Sequence, residues 1–243
     1  MKLLYKTPQL LSFVSNNDLF KFVEKVMKKA QTTDEDEEAL YRNTLDPFSA
    51  IFDASASGLT LKSWLLLEKM RQKQKTLQNA IGDFHENIIG AMPGWKKLPV
   101  GNIIDDVSDE QRIIAEVKNK FNTTKGSDKK TLYDNLENEL NEKYRGYTGY
   151  YIEIIPKNGK RYNKVFVPSD NTTGTNRPAN EKIRVIDGYS FYSLASGNAN
   201  ALHELYKVLP KIIASILDKP SISGMTTEEL FITFFHRAYK ESL

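Results

Sequence analysis

The hydrophobic period of this chain changes once, and that change limits the folds open to it. Up to about Gly90 the apolar residues recur at helical spacing, whereas from Asn102 they come in short β-branched runs. "NNDLFKFVEKVMKKA" sets Leu19, Phe22, Val23, Val26 and Ala30 on one helical face, with Asn17 or Asp18 as the cap. The acidic run "TDEDEE" (33–38) then reads as a loop, and a helix is predicted through "LYRNTLDPFSAIFDAS", broken near Pro47. From Thr60 a long helical stretch runs to Gly90 or Pro93; its very polar middle predicts that it lies along a surface or splits in two.

Beyond that point "NIIDDVSDEQRIIAEVK" is two apolar runs joined by a polar turn, the pattern of a hairpin. "SDKKTLYDNLENEL" repeats leucine at helical spacing behind an Asp128 cap. "YTGYYIEII", "KVFV" and "IRVI" read as strands, and residues 168–180, rich in turn formers, as a loop. Helices are predicted over 199–217, with a break at Pro210, and from Thr226 to Tyr239, where Thr226 and Glu229 form a capping box. This order predicts an α/β fold, a small mixed β-sheet flanked by helices rather than an alternating doubly wound one. A chain of 243 residues is expected to form a single domain over 1–243, with helical parts at about 1–90 and 199–243 packed on the central sheet.

The absence of cysteine excludes disulfides, thiolate zinc sites and cysteine nucleophiles. No apolar run approaches the ~20 residues of a membrane span, and no leader pattern is visible at the start, so a cytoplasmic protein with no membrane partner is expected.

The hairpin carries the chemistry. Glu116 and Lys118, two apart on a strand, point to one face. An even turn, Asp109-Glu110 or Ser108 to Gln111, sets Asp105 opposite Ile114 and hence on that face as well; an odd turn or a bulge presents Asp106 instead. The even turn is preferred. Two carboxylates a few ångströms apart repel unless a cation joins them, and with oxygen ligands alone the natural guest is magnesium, taking a phosphate as co-ligand. A neighbouring lysine orients the attacking water and offsets charge on the phosphorane. An E-x-K with an upstream Asp also arises by chance, and alternating Glu and Lys is how an ordinary solvated strand face looks.

The pattern D-x10-E-V-K in an apolar hairpin resembles the PD-(D/E)xK nuclease superfamily. The likeness extends through "DPFSAIFDAS", "QKTLQNAIGDFHENIIG", "IIAEVKNKFNTTKGS", "YRGYTGYYIEIIPK" and "KIRVIDGYSFYSLASG" to the type II restriction endonucleases that cut GGNCC or GGWCC sites, over roughly residues 10–220. The paired Asp105-Asp106, with no proline before it, departs from the pattern and leaves the catalytic Asp ambiguous. The resemblance implies a restriction-endonuclease-like fold in which Asp105 or Asp106 and Glu116 hold Mg2+. Lys118 would stand by the attacking water, with Glu86 as an auxiliary acid. It further implies 5′-phosphate products, a homodimer reading a palindrome in double-stranded DNA, and a cognate DNA methyltransferase acting on the same site without necessarily binding this chain.

Net charge is only +3, but residues 157–184 hold seven Lys/Arg against two acids, a segment suited to a polyanion. Guanine edges are read chiefly by Arg and Lys, so Arg161, Arg177, Lys182 and Arg184 are the candidate readers, with the amides of Asn163, Asn171 and Asn176 beside them. Lys120, Asn122, Thr123, Thr124 and Lys125, just past the hairpin, are placed to hold phosphates. His85 adjoins Glu86 and is a candidate to face the site; His203 and His236 show no metal-ligand spacing. Two other readings fit a basic chain with this hairpin: a repair or junction nuclease that recognises structure, and a non-catalytic DNA- or RNA-binding module.

Overall fold

The computed structural model describes residues 8–31, 45–170 and 173–240. The acidic run at 33–38, the residues just before Leu45, and Asn171 therefore lie outside the described residues. Two compact units are present: Lys25–Ile81, and the residues up to Glu24 together with those from Gly82 onward.

The first helix, α1 (Asn16–Gln31), buries Leu19 and Val23. Its cap is Ser15 rather than Asn17 or Asp18: the Ser15 hydroxyl accepts the Asp18 N–H at 3.1 Å and donates to the Asp18 carboxylate at 2.7 Å. In the Lys25–Ile81 unit, α2 (Pro47–Ala56) starts where the break was predicted. Asp46 accepts from the N–H groups of Phe48 and Ser49, and Pro47 fills a first-turn position where its missing N–H costs nothing. Helix α3 (Leu61–Gly90) is continuous over 30 residues and does not split. No glycine or proline interrupts 61–81, and the polar middle supports itself: Arg71 grips Glu68 through two bonds of 2.6 Å, and Gln72 adds a third at 3.0 Å.

A six-stranded mixed sheet forms the centre of the larger unit. Its strands are β1 (Lys96–Lys97), β2 (Asp106–Ser108), β3 (Ile113–Lys120), β4 (Thr148–Ile155), β5 (Asn163–Val165) and β8 (Ile183–Asp187), in the order β1-β2-β3-β4-β8-β5. β3, β4 and β8 run parallel, and β1, β2 and β5 pair antiparallel at the edges. Inside the predicted 168–180 loop, β6 (Ser169–Asp170) and β7 (Thr175–Asn176) make a separate two-stranded ribbon.

Helix α4 (Gly126–Glu142) crosses from β3 to β4 and covers one face of the sheet, packing Leu132, Tyr133, Leu136 and Leu140 on Ile114, Tyr151 and Val185. It begins two residues before Asp128, whose carboxylate therefore sits in the first turn, favourable for the helix dipole but not a cap. The opposite face meets α5 (Gly188–Ser196), where Phe191 packs edge-on against Tyr150 and Trp95. Hydrophobic periodicity did not flag this short helix. Its ends carry the signals: Asp187 accepts the Ser190 N–H at 3.0 Å, and Gly197 closes it in the left-handed conformation. At Gly188 a Cβ would lie 2.5 Å from the Ile154 carbonyl oxygen, so only glycine lets α5 start so close to β4.

Helix α6 (Ala201–Leu217) runs through Pro210 without the predicted break, and Pro210 is itself buried with Leu205 and Ile212, so packing offsets the lost bond. Helix α7 (Glu229–Tyr239) starts later than predicted. The Thr226 and Thr227 hydroxyls turn back to the carbonyls of Ser223 and Gly224 within a 3-10 segment, so no capping box forms.

Candidate active site

The hairpin has an even loop. Asp106 pairs with Ala115, Val107 with Ile114 and Ser108 with Ile113, leaving four residues, Asp109 to Arg112, in the turn. Arg112 closes it at φ 52°. Continued by one residue, this register sets Asp105 across from Glu116, not from Ile114 as expected. The register moves by two residues because the loop takes in Gln111 and Arg112, and a shift of two preserves the face. Asp105 lies just outside the regular ladder: its N–H donates at 3.0 Å to the carbonyl of Ala115, the residue paired with Asp106, and its carboxylate accepts the Val117 N–H at 2.7 Å.

One face of the hairpin thus collects Asp105, Glu116 and Lys118. Lys118 Nζ donates to Glu116 Oε1 at 2.5 Å. Burial, and after it the charge of Asp105, pushes the Glu116 carboxyl up to about 7. Burial works against the Lys118 ammonium, but Glu116, then Asp105 and Glu86, outweigh it and hold that lysine above its ordinary value. Glu116 and Lys118 open on a cleft of about 300 Å3, lined also by Ile103, Thr124, Asp128, Thr131, Leu132, Asn135 and Leu136. Asp128, Thr131 and Asn135 form a polar stripe on α4 at i, i+3 and i+7. That spacing is present in the sequence, but only the leucines on the core face of the same helix carry a hydrophobic signal.

Asp106 faces the other way. It is fully buried, neither carboxylate oxygen has a hydrogen-bond partner, and burial, followed by repulsion from Asp105, pushes it up to about 9. It lies under the end of α3, where a Cβ on Gly90 would sit 2.7 Å from Asp106 Oδ1 and 2.5 Å from Lys97 Cβ. Glu86 is near this side, held by Lys97 Nζ at 2.7 Å. His85 does not face the cleft: its Nδ1 is 2.8 Å from the Tyr192 hydroxyl, and burial lowers its pKa to about 4.

The donor set at the cleft suits a small hard cation. Among the described residues no cluster of three or more acids or histidines would enclose a metal. Magnesium needs no such cage, because it retains waters and commonly takes one or two carboxylates plus phosphate. The repulsion that raises Glu116 beside Asp105 is what a bound divalent cation relieves.

The expected DNA contacts divide into two groups. Lys120, Asn122, Thr124 and Lys125 follow the hairpin into α4; Thr124 lines the cleft and accepts from the Tyr151 hydroxyl at 3.2 Å, while Asn122 and Lys125 are exposed. The arginines are more engaged than their sequence suggests. Arg177 pairs with Asp134 on α4 and approaches Asp170 at 4.0 Å. Arg184 bonds Asn163 twice, at 2.7 and 3.1 Å, and Glu181 at 3.0 Å. Arg161 stacks 3.5 Å over the Tyr189 ring, and Lys182 is exposed before β8.

Residues 11–218 match the family model described as Eco47II restriction endonuclease. The chain is 40% identical over 237 residues to the type II restriction enzyme Eco47II of Escherichia coli, covering 95% of this chain and 99% of that protein. It is 29% identical to the type II restriction enzyme Sau96I of Staphylococcus aureus, covering 96% of this chain and 90% of that protein.

Proposed function

The chain belongs to the Eco47II restriction endonuclease family, and from that premise we propose that it cuts both strands of DNA at a short palindrome of the GGNCC type, using magnesium and leaving 5′-phosphates. As a type II restriction endonuclease it is a DNA-binding hydrolase. The observation that carries the finer reading is the convergence of Asp105, Glu116 and Lys118 on one face beside an open cleft. This is the constellation expected of a PD-(D/E)xK hairpin.

In this reading Asp105 and Glu116 hold the magnesium ion, which supplies charge neutralisation for the scissile phosphate and lowers the pKa of water. Lys118 positions the attacking water by hydrogen bonding and faces the developing negative charge on phosphorus. The water oxygen bonds to phosphorus as the bond to the 3′-oxygen breaks. The attacking water gives up a proton to solvent, the departing 3′-oxygen takes one up from solvent to become a hydroxyl, and the phosphate remains on the 5′ end. Glu86, paired with Lys97, contributes indirectly by helping to keep Lys118 charged.

Lys120 at the end of β3, with Thr124 and Lys125 after it, holds backbone phosphates, and the basic segment from Arg161 to Arg184 supplies base contacts. Arg177 and Arg184 must then exchange an internal partner for a base, or else orient neighbours such as Asn163 and Lys182. A palindrome read by one small chain calls for a two-fold homodimer, with the partner methyltransferase protecting the same sequence. Among the described residues no helix is long and apolar enough to cross a membrane, and the proposed place of action is the cytoplasm.

A digest of plasmid DNA with the purified protein and magnesium tests the proposal. Discrete fragments ending in 5′-phosphate, absent in EDTA and absent from plasmid methylated at the site, are the expected result. Nicking confined to branched DNA would point instead to a structure-reading nuclease, and an intact plasmid to a binding module.

A further inference from the structure

Besides Glu116, Asp105 and Glu86, the sheet sets one more acid beside Lys118. β3 and β4 pair in parallel with Lys118 beside Glu153, and paired residues share a face, so the Glu153 carboxylate stands on the same side of the sheet as the proposed site. It is 5% exposed. Adjacent strands are ~4.8 Å apart, well within the reach of a lysine, and opposite charges set side by side attract.

Lys118 nevertheless bonds Glu116, and the structure gives a reason: both oxygens of Glu153 are already engaged. Oε1 accepts from Lys129 Nζ at 2.8 Å, and Oε2 accepts from the Tyr162 hydroxyl. Lys129 comes from the first turn of α4 and passes 5.4 Å from the ring centre of Tyr151, the residue paired with Glu116. Asp187, next to Glu153 on β8, is likewise committed, accepting the N–H groups of Tyr162 and Ser190.

We propose that Lys129 is a positioning residue for DNA hydrolysis: its ion pair with Glu153 leaves Lys118 free to serve Glu116 and the scissile phosphate. Lys129 does not line the cleft and acts through Lys118 alone. Without it, a buried acid one strand away is left without its cation, and such a charge takes whatever partner is within reach. The proposal rests on the reading of Asp105, Glu116 and Lys118 as the hydrolytic group.

The sign of a double-mutant effect tests it. Lys129→Met, Glu153→Gln and the double variant are compared in single-turnover cleavage of a plasmid that the unaltered enzyme cuts, with affinity for the same DNA measured without metal. Lys129→Met should slow cleavage by about 100-fold, the scale of a misplaced catalytic group, and leave DNA affinity unchanged. Glu153→Gln alone should cost little, and adding it to Lys129→Met should restore most of the rate, because the competing charge is gone. A folded double variant as slow as Lys129→Met, or an unimpaired Lys129→Met, overturns the proposal. If Lys129→Met does not fold, the double variant decides: folded and fast supports the role, folded and slow removes it. Lys118→Ala runs alongside. Near-normal cutting by that variant would overturn the site itself, whereas an inactive Lys118→Ala beside an unaffected Lys129→Met would sink only the present inference.

Discussion

The two faces of the β2–β3 hairpin treat the same residue type in opposite ways. Asp105 and Asp106 are adjacent in the chain, yet one stands beside Glu116, which opens with Lys118 on a cleft, and the other is sealed beneath Gly90 with no hydrogen-bond partner. The open face leaves acids within reach of solvent and one another, so a cation and a phosphate can join them. On the sealed face the surroundings favour an uncharged carboxyl. A strand's two-residue period thus separates a ligand from a packing element across a single peptide bond.

Four experiments would break or sharpen this contrast. The largest effect belongs to the open face: Glu116→Ala or Lys118→Ala should cut the cleavage rate by about 10²- to 10⁴-fold, the range for loss of a positioned catalytic group. The fold should remain intact, and DNA binding should survive, with a tightening in Glu116→Ala as a negative charge leaves the phosphate's surroundings. A variant that still cuts at the normal rate would remove it from the active site.

Next comes the doublet. Asp105→Asn should lose about 100-fold or more in rate, and Asp106→Asn much less, because an amide reproduces the shape of a buried uncharged carboxyl. Measured side by side, a reversed ranking would transfer the metal role to Asp106 and dissolve the contrast.

The sealed face is then probed through His85, which packs against Tyr192 on that side. Its pKa is about 4 when folded and 6.5 when exposed, so the unfolded chain takes up a proton first as the pH falls. Stability from the neutral ring is complete above pH 6.5 and is lost progressively toward pH 4, by on the order of 3 kcal/mol. Denaturant titrations across that range should show a shallower decline in His85→Gln. An unchanged slope would mean that His85 is open to water.

The smallest expected effect is Gly90→Ala, where the new methyl meets Lys97 and Asp106 at under 3 Å. Overpacking there should cost about 1–3 kcal/mol in thermal unfolding while leaving cleavage at low temperature almost untouched. A neutral result would show that the end of α3 yields easily and that the seal over Asp106 is loose.

Much of this was legible beforehand. The period switch near Gly90 separated the helical part from the sheet, and the alternation of Glu116 and Lys118 placed them on one face, because both periods are set by backbone geometry at short range. The parity of the hairpin loop was legible too, and it sufficed to favour Asp105. The register itself was not: Arg112 adopts a left-handed conformation inside the turn, which residue preferences disfavour and the surrounding fold imposes. The caps of α1 and α7 differ from expectation because short hydroxyl side chains have several local backbone partners to choose from: Ser15 caps α1, and Thr226 turns back to the Ser223 carbonyl.

What the sequence by itself determined is the set of local periods, the pairing of an acid and a base on β3, and a family membership written across residues 11–218. Only the tertiary structure decided which neighbours those side chains meet. Glu153 lies 35 residues from Lys118 along the chain and Lys129 11, Arg177 is held by Asp134 from α4, and Asp106 is closed off by a helix ending at Gly90. Such meetings depend on strand order and on how a crossover helix packs, which are cooperative properties of the whole sheet that no window of residues contains.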